Sequence, residues 1–386
     1  MLNISLQTKI NSHRNQNLLR KRKVIHQVDQ NQIIVDGKTA TNFCSSDYLG
    51  LSQNEEVKKA LISGVEEYGF GSRASPLISG YYAPQKELEE KFAEFLGREK
   101  ALYFNSGYAA NTGVFSALLG RENTILADKL VHASIIDGIR LSRAKFLRYQ
   151  HNDLEDLENQ LRKTAAIDAV VTESVFSMGG EITPLDQIIN LAKQYKTMVI
   201  VDDAHGVGIL GSKGRGVSEH YNLPSGAIDC LVTPLGKACG GMGAIVSGSQ
   251  ELMESIFQFS RTYHYATALP PALAKANLQA LLILQNEKWR REKLNSLIEY
   301  FITGAKLRDL PLIYGDKTPI KSFVVADNLS ALRMQEKLLE KGFYISCIRP
   351  PTVPNLSTRL RISLNCFHEE KEVNNLLNEL ERAYER

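Results

Sequence analysis

The segment Val201-Asp202-Asp203-Ala204-His205-Gly206 places two acids and an imidazole directly after the apolar run Thr197-Met198-Val199-Ile200-Val201. A short β-branched run bounded by polar residues reads as a fully buried strand of a parallel sheet. Open α/β sheets bind ligands beyond the carboxyl ends of such strands. Asp202, Asp203 and His205 are therefore expected on the floor of a crevice, although a plain polar turn would use the same residue types. One strand later, after Cys230-Leu231-Val232-Thr233, Lys237 stands among Gly236, Gly240, Gly241 and Gly243. Glycines let a backbone approach a flat ligand closely. A lysine desolvated in such a place is a Schiff-base nucleophile, whereas on an open loop it would be only a surface charge.

A Schiff-base lysine needs a carbonyl partner. An acid at a strand end can hold a protonated pyridine nitrogen, and a nearby histidine can contact a phenolic oxygen. Together these are the requirements of pyridoxal 5'-phosphate, whose ring acts as an electron sink. Its phosphate needs an anion site, and Asn105-Ser106-Gly107-Tyr108 lies between the apolar run ALYF and a helical pattern, where helix N-terminal amides suit an anion. Tyr108 and Thr233 are expected to add contacts there. His132, in LVHASIIDG (130–138), opens another helix and is placed to stack on the cofactor ring.

The elements that position these groups follow from periodicity. Between about residues 85 and 250, β-type runs (ALYF, TILA, KFLRY, DAVVTES, TMVIVD, CLVT, AIVSG) alternate with helical patterns. That alternation predicts βα units and a mostly parallel sheet covered by helices. Before it, QIIVDGK carries the Asp36-Gly37 signal of a hairpin. After Pro270-Pro271 one long helix is expected from Ala272 through the 290s. Strands KSFVVA (321–326) and FYISCI (343–348) and a helix from His368 to Arg386 follow. The expected organisation is an arm (1–45), a large α/β domain (46–285) and a smaller α+β domain (286–386).

A chain of 386 residues exceeds one typical core, so two domains are expected. Its 43% hydrophobic and 23% charged content is that of a water-soluble globular protein. A formal charge of +3 gives no support to nucleic-acid binding. The one basic run is Arg20-Lys21-Arg22-Lys23. Cys44, Cys230, Cys239, Cys347 and Cys366 are scattered without a CxxC pair, which speaks against a zinc ribbon, another metal site or a disulfide framework. The N-terminus lacks the apolar core of a signal peptide, and no apolar stretch is long enough to span a bilayer. A cytoplasmic location is expected.

Ordered motifs run nearly end to end: CSSDYLGLS, ISGYY, NSGYAAN, VHASIIDG, HNDLEDLE, ESVFSMGGEITPL, VDDAHGVG, LGKACGGMGA, YATALPPA and IRPPTVPNLSTRLRISLN. By these motifs the sequence resembles the α-oxoamine synthase family of pyridoxal-phosphate enzymes, with fold type I. The resemblance implies that Lys237 carries the cofactor and moves the proton, that Asp202 pairs with the pyridine nitrogen, and that His205 contacts the ring oxygen. It implies further that His132 covers the ring, that Ser177, Gly107 and Tyr108 border the cofactor, and that Thr233 lies near the phosphate. Thr267 resembles a residue that completes the phosphate site of a neighbouring subunit, so an obligatory homodimer with shared active sites is implied. Arg361 resembles the clamp on an amino-acid carboxylate, and Arg20, Thr352 and His132 resemble substrate contacts. The segment IRPPTVP…RLRISL most resembles the branch that condenses L-alanine with a pimeloyl thioester of coenzyme A or an acyl carrier protein, in biotin synthesis. A relative of the glycine C-acetyltransferase type, or an inactive binding subunit of the same fold, is the alternative. Four departures from the family pattern stand out: Ser46 for asparagine, Gln85 for histidine, Gly179 for aspartate, and one extra residue between Thr233 and Lys237. The last reads either as a loop insertion that leaves Thr233 in its place, the reading favoured here, or as Pro234 standing in the threonine's place with one phosphate hydrogen bond lost.

Overall fold

The structure, a computed structural model, describes residues 2–384 apart from 314 and 326. After a helix over Leu2–Asn15 come β1 (Ile25–Gln27), β2 (Gln32–Val35) and β3 (Lys38–Asn42). Val35 pairs with Lys38, so Asp36 and Gly37 alone make the turn, with φ of 52° and 76°. Two successive positive-φ residues give the turn whose twist matches paired strands, which is why Asp-Gly occurs there.

Leu49–Ser177 and Ile182–Arg291 form the larger of two compact units. Its strands are β4 (Lys100–Phe104), β5 (Thr124–Asp128), β6 (Lys145–Tyr149), β7 (Ala169–Glu173), β8 (Met198–Asp202), β9 (Cys230–Pro234) and β10 (Ala244–Gly248). They form one sheet in the order β4-β10-β9-β8-β7-β5-β6, in which only β10 runs against the others. On one face Phe104, Val246, Val232, Ile200, Val171 and Ile125 pack against Val114 and Phe115 of the helix Gly107–Leu118 and Ile135 and Ile139 of the helix Ala133–Ser142. Each fully buried side chain of this size contributes roughly 1.5–3 kcal/mol. The two helices approach closely at Gly138, where a Cβ would lie 2.8 Å from the Phe115 ring and 2.9 Å from the Asn111 carbonyl oxygen. This close approach brings the two helix N-termini together above the carboxyl end of the sheet.

The single long helix expected after Pro270-Pro271 is two helices, Pro271–Asn286 and Lys288–Leu307, separated at Glu287. The break leaves carbonyls of the first helix without intrahelical donors, and Arg291 Nη1 donates to the Leu284 carbonyl at 2.6 Å. Glu287 in turn accepts from Arg290 Nε at 2.8 Å.

The smaller unit comprises Met1–Tyr48, Met178–Glu181 and Glu292–Arg386, so the N-terminal arm shares a unit with the C-terminal segment. Its later strands are β11 (Ile320–Val324), β12 (Phe343–Tyr344), β13 (Ser346–Ile348) and β14 (Arg359–Ser363). β11-β14-β13 form an antiparallel sheet, while β12 adds to the β1-β2-β3 sheet parallel to β3. The run FYISCI, expected as one strand, therefore serves two sheets and changes over at the fully buried Ile345. The C-terminal helix is Glu370–Tyr384; the last two residues expected in it lie outside the described residues, as does Ala326 of KSFVVA. Among the described residues no helix is long and apolar enough to cross a membrane.

Candidate active site

Asp202 ends β8 on the helix-covered face of the sheet and is buried. Its Oδ1 accepts from the Ala204 amide at 3.0 Å, and its Oδ2 accepts from Asn111 Nδ2 at 2.7 Å. The same Asn111 nitrogen donates to Ser134 Oγ at 2.9 Å. Ser134 Oγ lies 2.7 Å from His132 Nδ1, and the Ser134 amide donates to that ring nitrogen at 3.2 Å. His132 is the N-cap of the helix Ala133–Ser142, where an acceptor satisfies an orphan amide. Burial, reinforced by the Lys237 charge, holds the His132 imidazole below its ordinary pKa, with the Asp202 carboxylate opposing. The structure thus joins Asp202 to His132 through Asn111 and Ser134, which sequence reasoning did not single out. The available signal was an asparagine inside an otherwise apolar helical pattern, because a buried amide must find partners.

Asp203 continues the ladder, its amide donating to the Val232 carbonyl at 2.8 Å. Its side chain is fully buried and accepts from the Val217 amide at 3.1 Å. A Cβ on Gly206 or Gly216 would fall 1.9 or 2.0 Å from its oxygens, so two glycines form its cradle. This carboxyl anchors the loop that carries His205, itself buried. Burial pushes the Asp203 carboxyl up to about 7, against the opposing effects of the neighbouring Ser174 hydroxyl and the Val217 amide. The unfolded chain releases that proton near pH ~3.9. Between these values the folded state holds more protons, so stability falls as pH rises toward 7. The expected result is a melting temperature that declines from pH 5 to pH 8, with a smaller decline in Asp203→Asn. An equal decline in both proteins would remove Asp203 as its source.

Lys237 is half-buried in the loop after β9. Backbone hydrogen bonds hold this loop, with the Gly240 amide on the Lys237 carbonyl at 2.8 Å and the Leu235 amide on the Gly243 carbonyl at 2.9 Å. Ser106 caps the helix Gly107–Leu118, its hydroxyl accepting from the Ala109 amide at 3.1 Å. The amides of Gly107 and Tyr108 precede the first intrahelical bond, Ala110 N to Ser106 O, and so remain for an anion.

Thr233 requires a correction. Asp202 pairs with Val232 and Ile200 with Cys230, so Cys230, Val232 and Pro234 share the face of Asp202, while Thr233 points to the opposite face. Pairing with β10 is continuous from Cys230 to Pro234, which fixes the face of each of these residues. Thr233 Oγ1 is buried without a hydrogen-bond partner among the described residues. Pro234 is the residue against the helix N-terminus, where a Cβ on Gly107 would lie 2.6 Å from its ring. The Thr233 side chain therefore cannot reach an anion held by the Gly107 and Tyr108 amides.

Tyr108 is half-exposed and donates its hydroxyl hydrogen to Asp137. Ser177 lies in the turn after β7 and is half-buried. Thr267 is exposed, and its carbonyl accepts from Asn105 Nδ2 at 2.7 Å. Gln85, a departure from the family pattern, donates to the carbonyls of Gly80 and Leu269 and so pins the segment carrying Thr267.

In the smaller unit, Arg20 Nη2 donates to Thr352 Oγ1 at 2.8 Å, so these two expected contacts adjoin. Arg361, on β14, is buried rather than on a solvated strand face, and its Nη1 donates to Ser363 Oγ at 2.9 Å. Burial raises the Tyr48 hydroxyl and pushes the Cys44 thiol up to about 12, and Arg361 opposes both shifts. Ser46, the other departure in this region, hydrogen-bonds Tyr48.

The model of the family described as aminotransferase class I and II matches residues 38–380. The chain belongs to that family. The 8-amino-7-oxononanoate synthase of Pseudomonas syringae pv. syringae (strain B728a) is 44% identical over 383 residues, 99% of this chain and 96% of its own. That of Saccharophagus degradans is 44% identical over 382 residues, 98% of this chain and 96% of its own. The crystal structure of 8-amino-7-oxononanoate synthase from Francisella tularensis superposes with a TM-score of 0.80 at 36% identity, covering 90% of this chain and 98% of that one. Serine palmitoyltransferase from S. paucimobilis, bound to a PLP–myriocin aldimine, superposes with a TM-score of 0.93 at 29% identity, covering 99% and 97%. The aminotransferase class I and II cofactor, pyridoxal phosphate, fits the donor set of the larger unit: an acid at a strand end, a half-buried lysine, and free amides at a glycine-opened helix N-terminus.

Proposed function

We propose that this enzyme condenses L-alanine with a pimeloyl thioester, releasing carbon dioxide and the carrier thiol and forming 8-amino-7-oxononanoate. The observation that carries this reading is the 44% identity, over nearly the whole chain, to 8-amino-7-oxononanoate synthases. When bound, pyridoxal phosphate supplies a carbonyl for the substrate amine and a ring that accepts the electron pair of a breaking bond. Lys237 would anchor the cofactor, and its Nζ would remove the α-proton of the bound alanine and later return one. Asp202 would hold the ring nitrogen in its protonated form, His205 would contact the ring oxygen, His132 would cover the ring and Ser177 would border it. The amides of Gly107 and Tyr108 bind the phosphate. Arg361 would hold the alanine carboxylate and so orient the amino acid for the bond that breaks. Arg20 and Thr352 contact the thioester substrate.

Thr267 completes the phosphate site of a second copy. Phe70 (93% exposed), Ile78 (80%) and Tyr265 (74%) lie on segments tied by hydrogen bonds to the strip around Thr267, and a second copy of the chain would cover them. Apolar exposure of this kind marks an interaction face.

The purified enzyme is expected to form 8-amino-7-oxononanoate from L-alanine with pimeloyl-coenzyme A or pimeloyl-carrier protein, releasing one carbon dioxide per free thiol. Comparing kcat/KM for the two thioesters identifies the carrier. Faster turnover of glycine with acetyl-coenzyme A, or thiol release without carbon dioxide, would overturn the assignment.

A further inference from the structure

We propose that Asn111 and Ser134 are positioning residues that hold His132 neutral, with its proton on Nε2. A carboxylate oxygen can only accept, so the Asn111 atom 2.7 Å from Asp202 Oδ2 is its amide nitrogen. That nitrogen's second hydrogen points to Ser134 Oγ at 2.9 Å, which therefore accepts. The Ser134 hydroxyl hydrogen is then directed to His132 Nδ1 at 2.7 Å. The Ser134 backbone amide, whose polarity cannot reverse, faces the same ring nitrogen at 3.2 Å. Two donors thus converge on Nδ1, and a proton there would meet an N–H head-on. Nδ1 carries the lone pair, and the single ring proton sits on Nε2.

The network is well shielded. Asn111 and Ser134 are 2% and 1% exposed, and both lie on the two helices that Gly138 allows to pack closely. The charged groups acting on the ring are the Asp202 carboxylate and the Lys237 ammonium, and burial outweighs the former. On the same helix, Asp137 is engaged by the Tyr108 hydroxyl. The consequence for the proposed reaction is twofold. A neutral imidazole can lie against a protonated pyridine ring without like-charge repulsion, and Nε2–H remains a donor for a substrate oxygen. The carboxylate that pairs with the ring nitrogen and the histidine that covers the ring are thereby set by one pair of side chains.

The test is histidine-¹⁵N NMR of the apoenzyme across pH, with His132 assigned by comparison with His132→Gln. The wild type is expected to show Nδ1 unprotonated and Nε2 protonated at neutral pH, with a titration midpoint below the ordinary value of about 6.5. Ser134→Ala should raise that midpoint by about one pH unit, because one of two donors to the neutral form is lost, while the backbone amide keeps the proton on Nε2. Ser134→Thr keeps the hydroxyl and should restore the wild-type pattern. Asn111→Ala frees the serine hydroxyl to turn away from Nδ1 and should raise the midpoint in the same direction, while the backbone amide keeps the proton on Nε2. A wild-type His132 with its proton on Nδ1, or doubly protonated at neutral pH, would overturn the proposal even if no variant folds. So would a Ser134→Ala titration identical to that of the wild type. Because this measurement reads the ring and not turnover, it stands or fails separately from the assay of the condensation.

Discussion

Lys237→Ala is expected to abolish condensation while leaving a folded protein. The visible absorption that arises from the cofactor's link to a lysine should vanish, and turnover should fall on the order of 10³-fold or more, since anchor and base are removed together. The loop's backbone bonds, from Gly240 to the Lys237 carbonyl and from Leu235 to the Gly243 carbonyl, are ones that alanine preserves. Cofactor added to the variant should still bind weakly, through the amides of Gly107 and Tyr108 and through Asp202. The measurements are an absorption spectrum and a coupled assay of carbon dioxide release. Substantial synthase activity in the variant would show that another group moves the proton.

The second large effect is expected at Arg361, on the side of the amino acid. Losing a desolvated, charge-assisted contact to a carboxylate costs about 2–5 kcal/mol, so Arg361→Ala should weaken L-alanine binding by roughly 30-fold to several thousand-fold. Alanine ethyl ester, which lacks the carboxylate charge, should respond far less. Arg361→Lys should recover only part of the loss, because an ammonium cannot match both carboxylate oxygens. The guanidinium is buried beside Tyr48 and Ser363, so a thermal melt should accompany each variant to separate binding from stability. Titrating cofactor absorbance with L-alanine reads the effect directly. An unchanged dissociation constant would move the carboxylate site elsewhere.

The placement of the large-unit candidate residues was legible wherever one short apolar run ended in polar residues. MVIVD followed by Asp203 and His205, and CLVT followed by Lys237, need only the rule that parallel strands deliver ligands at their carboxyl ends. The Asp36-Gly37 turn was legible because its backbone demands a positive φ twice. The face on which Thr233 lies was not. A one-residue offset inverts a strand side chain, and only the pairing of Asp202 with Val232 fixes which residue of Thr233-Pro234 meets the helix N-terminus. Asn111 and Ser134 escaped for a related reason: their importance lies in each other, across helices brought together by Gly138. The break at Glu287 and the division of FYISCI at Ile345 likewise arise from tertiary partners such as Arg291 rather than from local propensity.

The smaller unit is assembled from the two ends of the chain. β3 receives β12 beside it, Phe43 accepts from the Ser363 amide and stacks on His368, and Tyr48 accepts from the Cys366 amide. These partners are encoded roughly 300 residues after β3, so at ~5–20 residues per second a ribosome delivers them some 15–60 s later. During that interval the hairpin of β2 and β3 presents an open strand edge, the kind of edge that recruits foreign strands. Six lysines and arginines, and no acid, precede Asp29. The nascent arm therefore waits as a uniformly positive segment that repels its own copies on neighbouring ribosomes. The larger unit, encoded almost entirely between the two halves, can fold during that wait.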